Sequence, residues 1–341
     1  MNLVSTSLHQ IDHALNEIGE ITIQDQSQDL MNYTTRLIHE ITTSTNRRQF
    51  QFRSDTTEVR TALNKFLTDD FQAGAEINAK RLLEVEIEAQ QRIAHLDVTI
   101  QKGSLFQALL HNNESKTIIL SKADHNKFLD DEDFTLKNGL PWEKRIFKAF
   151  LVKFNANDIP LEIFVYDTTS RMARYWWDDY LELKETYTDS HNTKTSLDIL
   201  DRKVLTKIKK DYPADHTILR NSTIGYYRNK VEFALEEYID EILRNYTPIN
   251  EDLPINDIIA KAADLPEKWH FDSRFNIQKD EIQKRKVNRI PLNDKVDLVL
   301  KDYIENLSNM IKSEKDAEGI KYIKIRTDAG YDRFEKQNTP E

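Results

Sequence analysis

Seven glycines in 341 residues, no two closer than eleven positions, are the feature that most restricts this chain. A Walker A loop, a Gly-x-Gly-x-x-Gly dinucleotide turn and a nucleophile elbow each need two glycines within a few residues. The backbone there must turn tightly or approach a ligand with no Cβ in the way. None of these can be built here in its usual form. The chain also has no cysteine, which removes disulfides, thiolate zinc sites, iron–sulfur clusters and cysteine nucleophiles together. No catalytic motif is in view.

The periodicities predict an α+β chain. Ser27 to Ile41 carries Leu30, Tyr33, Leu37 and Ile41 at helical spacing, and Arg47 to Phe52 alternates as an extended segment. Ser54 is the expected N-cap of a helix through Leu67, with Asp55 in its first turn. A long helix is expected from Phe71 to Ala94, with Leu82, Leu83, Val85 and Ile87 inward and Glu84, Glu86 and Glu88 outward. Val98 to Ile100 and Leu105 to Leu110 read as a hairpin about Lys102-Gly103. Lys116 to Leu120, Arg145 to Phe154 and Leu161 to Tyr166 read as further strands. Helices are expected over Arg171–Leu183, Ser196–Lys209, Ser222–Tyr246 and Pro254–Leu265. Val296 to Leu300 suits a strand or a helix start, and Ile320 to Ile325 a terminal strand.

The expected architecture is therefore N-terminal helices with an antiparallel or mixed sheet over residues 1–190. A mainly helical C-terminal domain with a few strands follows over 191–341, the break falling in the polar stretch Thr188 to Thr195. No apolar run approaches the roughly eighteen residues of a membrane helix. The first twenty residues show no signal-peptide pattern, and no membrane partner is expected.

Three constellations suggest metal chemistry, each weakly. His9 and His13 stand at i, i+4 but have no third ligand. Glu182-Leu183-Lys184 spells a nuclease-like Glu-x-Lys, but in a segment expected to be helical, where residues two apart do not share a face. Asp130 to Asp133 lacks the spaced ligands of a calcium loop.

Positive charge is more informative. The formal net charge is −10, yet phosphate contact needs clustered Lys and Arg and not a basic whole. Residues 196–230 hold eight basic and four acidic side chains, including Arg202, Lys203, Lys207, Lys209 and Lys210. Residues 279–289 hold five against two, including Lys284, Arg285, Lys286 and Arg289. Tyr226, Tyr227 and Trp269 lie in or near these stretches, as base stacking would need. The bland alternative is an ordinary solvated surface.

The stretch Phe164-Val-Tyr-Asp-Thr-Thr-Ser-Arg-Met-Ala-Arg-Tyr-Trp-Trp-Asp-Asp-Tyr-Leu181 reads as a strand, a polar loop with Arg171 and Arg174, and an aromatic helix. Together with Leu8-His9-Gln10, the helix Leu30 to Ile41, Gln49 to Phe52 and the strand Leu105 to Leu110, it resembles the bacterial 37-kDa nucleoid-associated proteins, the NdpA/YejK family. Phe164, Arg171, Trp176, Trp177, Asp179, Tyr180 and Leu181 fit that family's aromatic segment. Its preceding Lys-Gly-Arg is replaced here by Tyr166-Asp167-Thr168, which removes two positive charges and adds a negative one. The resemblance implies a non-catalytic, cytoplasmic, nucleoid-associated protein that contacts DNA or a nucleoprotein complex, with no cofactor. Arg171, Arg174, the helix Arg202 to Lys210 and the segment Lys284 to Arg289 are the candidate DNA surface. The alternative is a protein-interaction subunit of a DNA-processing or phage-defence complex that never touches DNA, which the net charge favours. A protein partner is expected in either case, and a homodimer is compatible with both.

Overall fold

The computed structural model describes residues 2–21, 28–96, 98–112, 114–129, 134–142, 147–169, 172–283 and 287–335. Among the expectations above, Asp130 to Asp133, Arg171, Lys284 to Lys286 and the tail from Gln337 lie outside these residues. The protein is α+β. It divides into two compact units, one of residues 1–188 with Asp272–Arg274, the other of the remainder from Asp189 onward.

The first unit is built on an eight-stranded, wholly antiparallel sheet. Its strands are β1 (Asn2–Asp12), β2 (Glu17–Ile21), β3 (Arg48–Phe52), β4 (Gly103–Asn112) and β5 (Ser115–Asp124). The small hairpin β6 (Asn126–Leu129) and β7 (Leu136–Gly139) stands apart. Strands β8 (Phe147–Phe154), β9 (Pro160–Asp167) and β10 (Leu183–Glu185) complete the sheet, in the order β10-β3-β9-β8-β5-β4-β1-β2. Central strands are covered on both faces and so read as nearly continuous apolar runs. Helix α1 (Gln28–Thr43) packs Tyr33, Leu37 and Ile41 on one face, against Phe106, Ile119 and Leu151. Helices α2 (Glu58–Leu67) and α3 (Phe71–Ile93) cover the other, where Leu63, Phe66, Ala79 and Leu82 meet Leu105, Ile118, Leu120 and Phe150. Gly74 permits the close passage of these two helices, since a Cβ there would lie 2.6 Å from the Ala62 carbonyl oxygen.

Several expectations are corrected. His9 lies on strand β1 and His13 in the turn after it, so their i, i+4 spacing does not place them on one helix face. His9 is buried on β1, where burial pushes its imidazole down. Ser54 is not the cap of α2; Thr57 is, accepting from the Arg60 amide. Val98 to Ile100 is not a strand, and Gly103 begins β4 where it was expected to turn a hairpin. In place of a helix to Leu183, a single π-helical turn (Tyr175–Tyr180) gives way to β10. Trp176 and Tyr180 are fully buried in that turn, and Trp177 is half-buried against Phe50, with ring centroids 5.4 Å apart.

In the second unit, α4 (Asp189–Ile199) runs on through a π-helical segment (Leu200–Leu205) into α5 (Thr206–Ile208). Helix α6 (Pro213–Asn229) follows, with proline in its first turn, where no amide donor is needed. The single helix expected over Ser222–Tyr246 is broken. Lys230 is extended, β11 (Glu232–Ala234) pairs with β12 (Arg274–Asn276), and α7 (Leu235–Tyr238) resumes the helical path. The end of α6 is fixed by the Lys279 ammonium, which donates to the carbonyls of Tyr227 at 2.8 Å, of Arg228 at 2.9 Å and of Lys230. The core gathers Leu200, Leu205, Leu219, Tyr227 and Tyr238 around the stacked pair Phe233 and Phe275, 4.8 Å apart. Helices α8 (Ile255–Ala263) and α9 (Leu265–Trp269), and the hairpins β13 (Asn288–Asn293) with β14 (Val296–Leu300) and β15 (Ile311–Lys315) with β16 (Lys321–Ile325), complete it.

Candidate nucleic-acid interface and a buried charged cluster

Five of the candidate basic residues fall on one continuous stretch of the second unit. In the run from Leu200 to Lys210, Leu200, Val204, Leu205 and Ile208 point into the core. Arg202, Lys203, Lys207, Lys209 and Lys210 are therefore turned to solvent. Arg202 pairs with Asp198 one turn back, at 2.8 Å. Lys203 lies over the ring of Trp269, its ammonium 4.6 Å from the centroid, and that indole is itself exposed. Among the described residues, Lys207, Lys209 and Lys210 face no carboxylate within ion-pair distance. His216 on α6 senses this side of the unit: burial first, and then Lys209, push its imidazole down to about 4.

Other basic residues counted in the same stretch are structural. Arg220 is bidentate to Asp201 at 3.0 and 3.2 Å, Arg228 pairs with Asp302, and Lys230 with Glu237 and Glu241. Arg289, on β13, is spent across its own hairpin on Asp297 at 2.9 Å. Arg174 belongs to the first unit, exposed but paired with Asp178 at 2.7 Å. Arg171 and Lys284 to Lys286 are outside the described residues. Tyr226 and Tyr227 are buried and offer no stacking surface; Trp269 does.

In the first unit, Asp167, the residue that departs from the resembled loop, has a local structural role. Its carboxylate accepts from the Thr169 amide and hydroxyl and from the Ala173 amide, and so shapes the turn ahead of Tyr175. Glu182 accepts from the Val59 amide and pairs with Arg81 at 3.3 Å, so the Glu-x-Lys spelling, although on a strand edge, is tied into α2 and α3. Among the described residues no three acidic or imidazole side chains converge as a metal site would require.

A group that sequence reasoning missed lies on the α3 face of the sheet. Glu86, expected to face solvent, is fully buried. Its carboxylate meets the equally buried Lys122 ammonium at 2.7 Å, and the His13 imidazole stands 3.8 Å away. Lys122 also donates to the Gln101 carbonyl at 2.7 Å and lies 3.2 Å from Asp124, which Lys148 approaches at 3.2 Å from the other side. Burial pushes the Glu86 carboxyl up, against the opposing pull of Lys122. The Tyr175 hydroxyl, raised well above its ordinary range by burial first and then by Glu86, makes no hydrogen bond of ordinary geometry with that carboxylate. Gly103 is needed here too: a Cβ would lie 2.8 Å from Lys122 Cε and 2.6 Å from the Ala123 carbonyl oxygen. Beside this cluster is a cavity of about 460 Å³, bounded by the end of α3, the segment Val98 to Gln101 and the π-helical turn.

No family model matches the chain, and a search of curated proteins finds none significantly similar to it. The likeness to the NdpA/YejK proteins rests on the residues quoted above. No helix among the described residues is long and apolar enough to cross a membrane.

Proposed function

We propose that this protein contacts DNA phosphates, without catalysing a reaction on them, through the exposed basic stretch Arg202 to Lys210. The second unit then acts as the mainly helical DNA-contacting domain, and the sheet-based first unit as its companion, in a cytoplasmic, nucleoid-associated setting. The observation that carries this reading is the set of lysines at 203, 207, 209 and 210. They sit on one solvent-facing stretch with no carboxylate partner among the described residues, and an exposed tryptophan stands under the first. Unpaired ammonium groups can exchange counterions for phosphates, and the indole supplies a face for an unpaired base.

The test is a salt titration of the full chain against labelled double- and single-stranded DNA, with and without magnesium. Affinity should fall steeply with salt, and Lys207→Glu/Lys209→Glu/Lys210→Glu should lower the log–log slope by about three, one per phosphate contact. An unchanged slope in the triple variant would sink the reading, and magnesium-dependent shortening of the DNA would contradict its non-catalytic part.

One observation favours a second reading, a protein-interaction subunit of a DNA-processing or phage-defence complex. Ile320, Tyr322, Ile323 and Ile325 are all exposed on or beside the two-stranded β15–β16 hairpin, while the whole chain carries a net charge of −10. Exposed apolar clusters of this kind are what a partner covers. Loss of partner capture, with DNA retention unchanged, in an Ile323→Asp/Ile325→Asp variant would support it.

A further inference from the structure

The cavity beside the buried cluster lies wholly in the first unit, far in sequence from the basic stretch of the second, and its walls divide by chemistry. Ile93, Val98 and Ile100 form an apolar side. Asp124, Lys148, Arg174 and Tyr175 contribute polar groups to the same lining. Lys148 and Asp124 are 6% and 7% exposed, so this pair is held within the structure, while the Arg174 side chain reaches the lining from the surface.

Each of the two cations in that lining shares its carboxylate with a second cation. Asp124 lies 3.2 Å from Lys148 and 3.2 Å from Lys122. Asp178 is held by Arg174 at 2.7 Å and also by Arg53. Lys148 and Arg174 can therefore turn toward a ligand without leaving either acid unpaired, the event that makes breaking a buried ion pair unfavourable. Arg92 and Asp179, paired at 2.6 Å, close the rim and balance each other.

We propose that this cavity binds a small organic anion, its phosphate or carboxylate group held by Lys148 and Arg174 and its apolar body laid against Ile93, Val98 and Ile100. The volume is in the range of small-ligand sites, and an apolar lining with a few polar groups is their usual composition.

The experiment is calorimetric titration of the full chain with phenyl phosphate, benzoate and inorganic phosphate. Phenyl phosphate or benzoate should bind at least tenfold more tightly than inorganic phosphate, because only they reach the apolar wall. Which of the two binds better distinguishes a phosphate from a carboxylate ligand. Arg174→Gln, at an exposed position that need not disturb folding, should weaken binding at least fivefold. The triple variant Lys207→Glu/Lys209→Glu/Lys210→Glu should bind these anions as the parent does, which keeps this site separate from DNA contact. Absence of binding by both organic anions up to about 10 mM, far weaker than a built site gives, would overturn the proposal. So would equal affinity in Arg174→Gln and the parent, or loss of anion binding in the triple variant.

Discussion

Replacing Lys122 by methionine tests the buried cluster directly. The ammonium lies at 0% exposure between Glu86 at 2.7 Å, Asp124 at 3.2 Å and the Gln101 carbonyl at 2.7 Å. Methionine fills nearly the same volume, so the change isolates the charge. Asp124 keeps Lys148, but Glu86 keeps only the more distant His13. Removing one partner of a buried pair leaves the other uncompensated, and about 3–5 kcal/mol is expected. The double variant Glu86→Leu/Lys122→Met removes both charges and should return to within about 1 kcal/mol of the parent. Urea unfolding followed through tryptophan fluorescence reports the event, because Trp176 is fully buried in the same core. The pH dependence fixes the sign. Glu86 already has its folded-state pKa raised above the ordinary 4.5, and losing Lys122 raises it further. The folded variant then holds its proton to higher pH than the parent does, so its deficit grows as pH rises from the parent's raised Glu86 pKa toward the variant's still higher one, and shrinks below that range. A deficit below about 1 kcal/mol at pH 7, or a double variant as unstable as the single, would refute a water-free pair.

Three further outcomes follow from the same structure. With its folded pKa at about 4, His216 stays neutral while the unfolded chain takes up a proton. The second unit should therefore lose at most about 3 kcal/mol as pH falls from 6.5 through 4. His216→Phe should flatten that part of the stability–pH curve, and an identical slope in both proteins would contradict the assignment. Gly103→Ala should destabilise by about 1–3 kcal/mol through overpacking against Lys122 and the Ala123 carbonyl, and an unchanged melting temperature would show that the strand yields freely. Trp269→Ala should weaken single-stranded DNA binding by about 1–3 kcal/mol with little change in salt slope, since the ring supplies stacking and not charge; an unaltered affinity in filter binding would remove the indole from the interface.

The parts of the fold that were legible are those where pattern and packing agree. The strands through Ile118, Phe150 and Ile163 are apolar runs because helices cover both faces of the sheet. The helix over Leu30 to Ile41 shows its core stripe openly. Strand β1 was not legible, because Asn2, Ser5, Thr6 and Ser7 give it a polar text although β4 and β2 flank it. The break after α6 was hidden by a continuing apolar repeat at Leu235 and Tyr238. At the break the Lys279 ammonium takes up the carbonyls that the helix leaves open, a contact from some fifty residues away. The basic surplus of residues 196–230 was countable, but its use was not: Arg220, Arg228 and Lys230 are consumed by carboxylates, which only tertiary packing decides.

The buried cluster is the instructive case, because its signal was present and read with the wrong period. Glu84, Glu86 and Glu88 alternate with Val85 and Ile87, which suggests a shared acidic face, but a helix repeats every 3.6 residues and not every two. At helical spacing Ala75, Ala79, Leu82, Glu86 and Ala89 form one stripe, and all five are buried. Lys122 and Asp124 likewise continue the inward alternation of Ile118 and Leu120 on β5, and Lys148 that of Phe150 on β8. A charged residue standing on an apolar stripe must meet its counter-charge inside the protein, since isolated burial is too unfavourable to persist. Four such residues on three different elements of one unit therefore imply a shared meeting point. That point is where α3, β5 and β8 converge, and it is also where the sheet opens into the cavity.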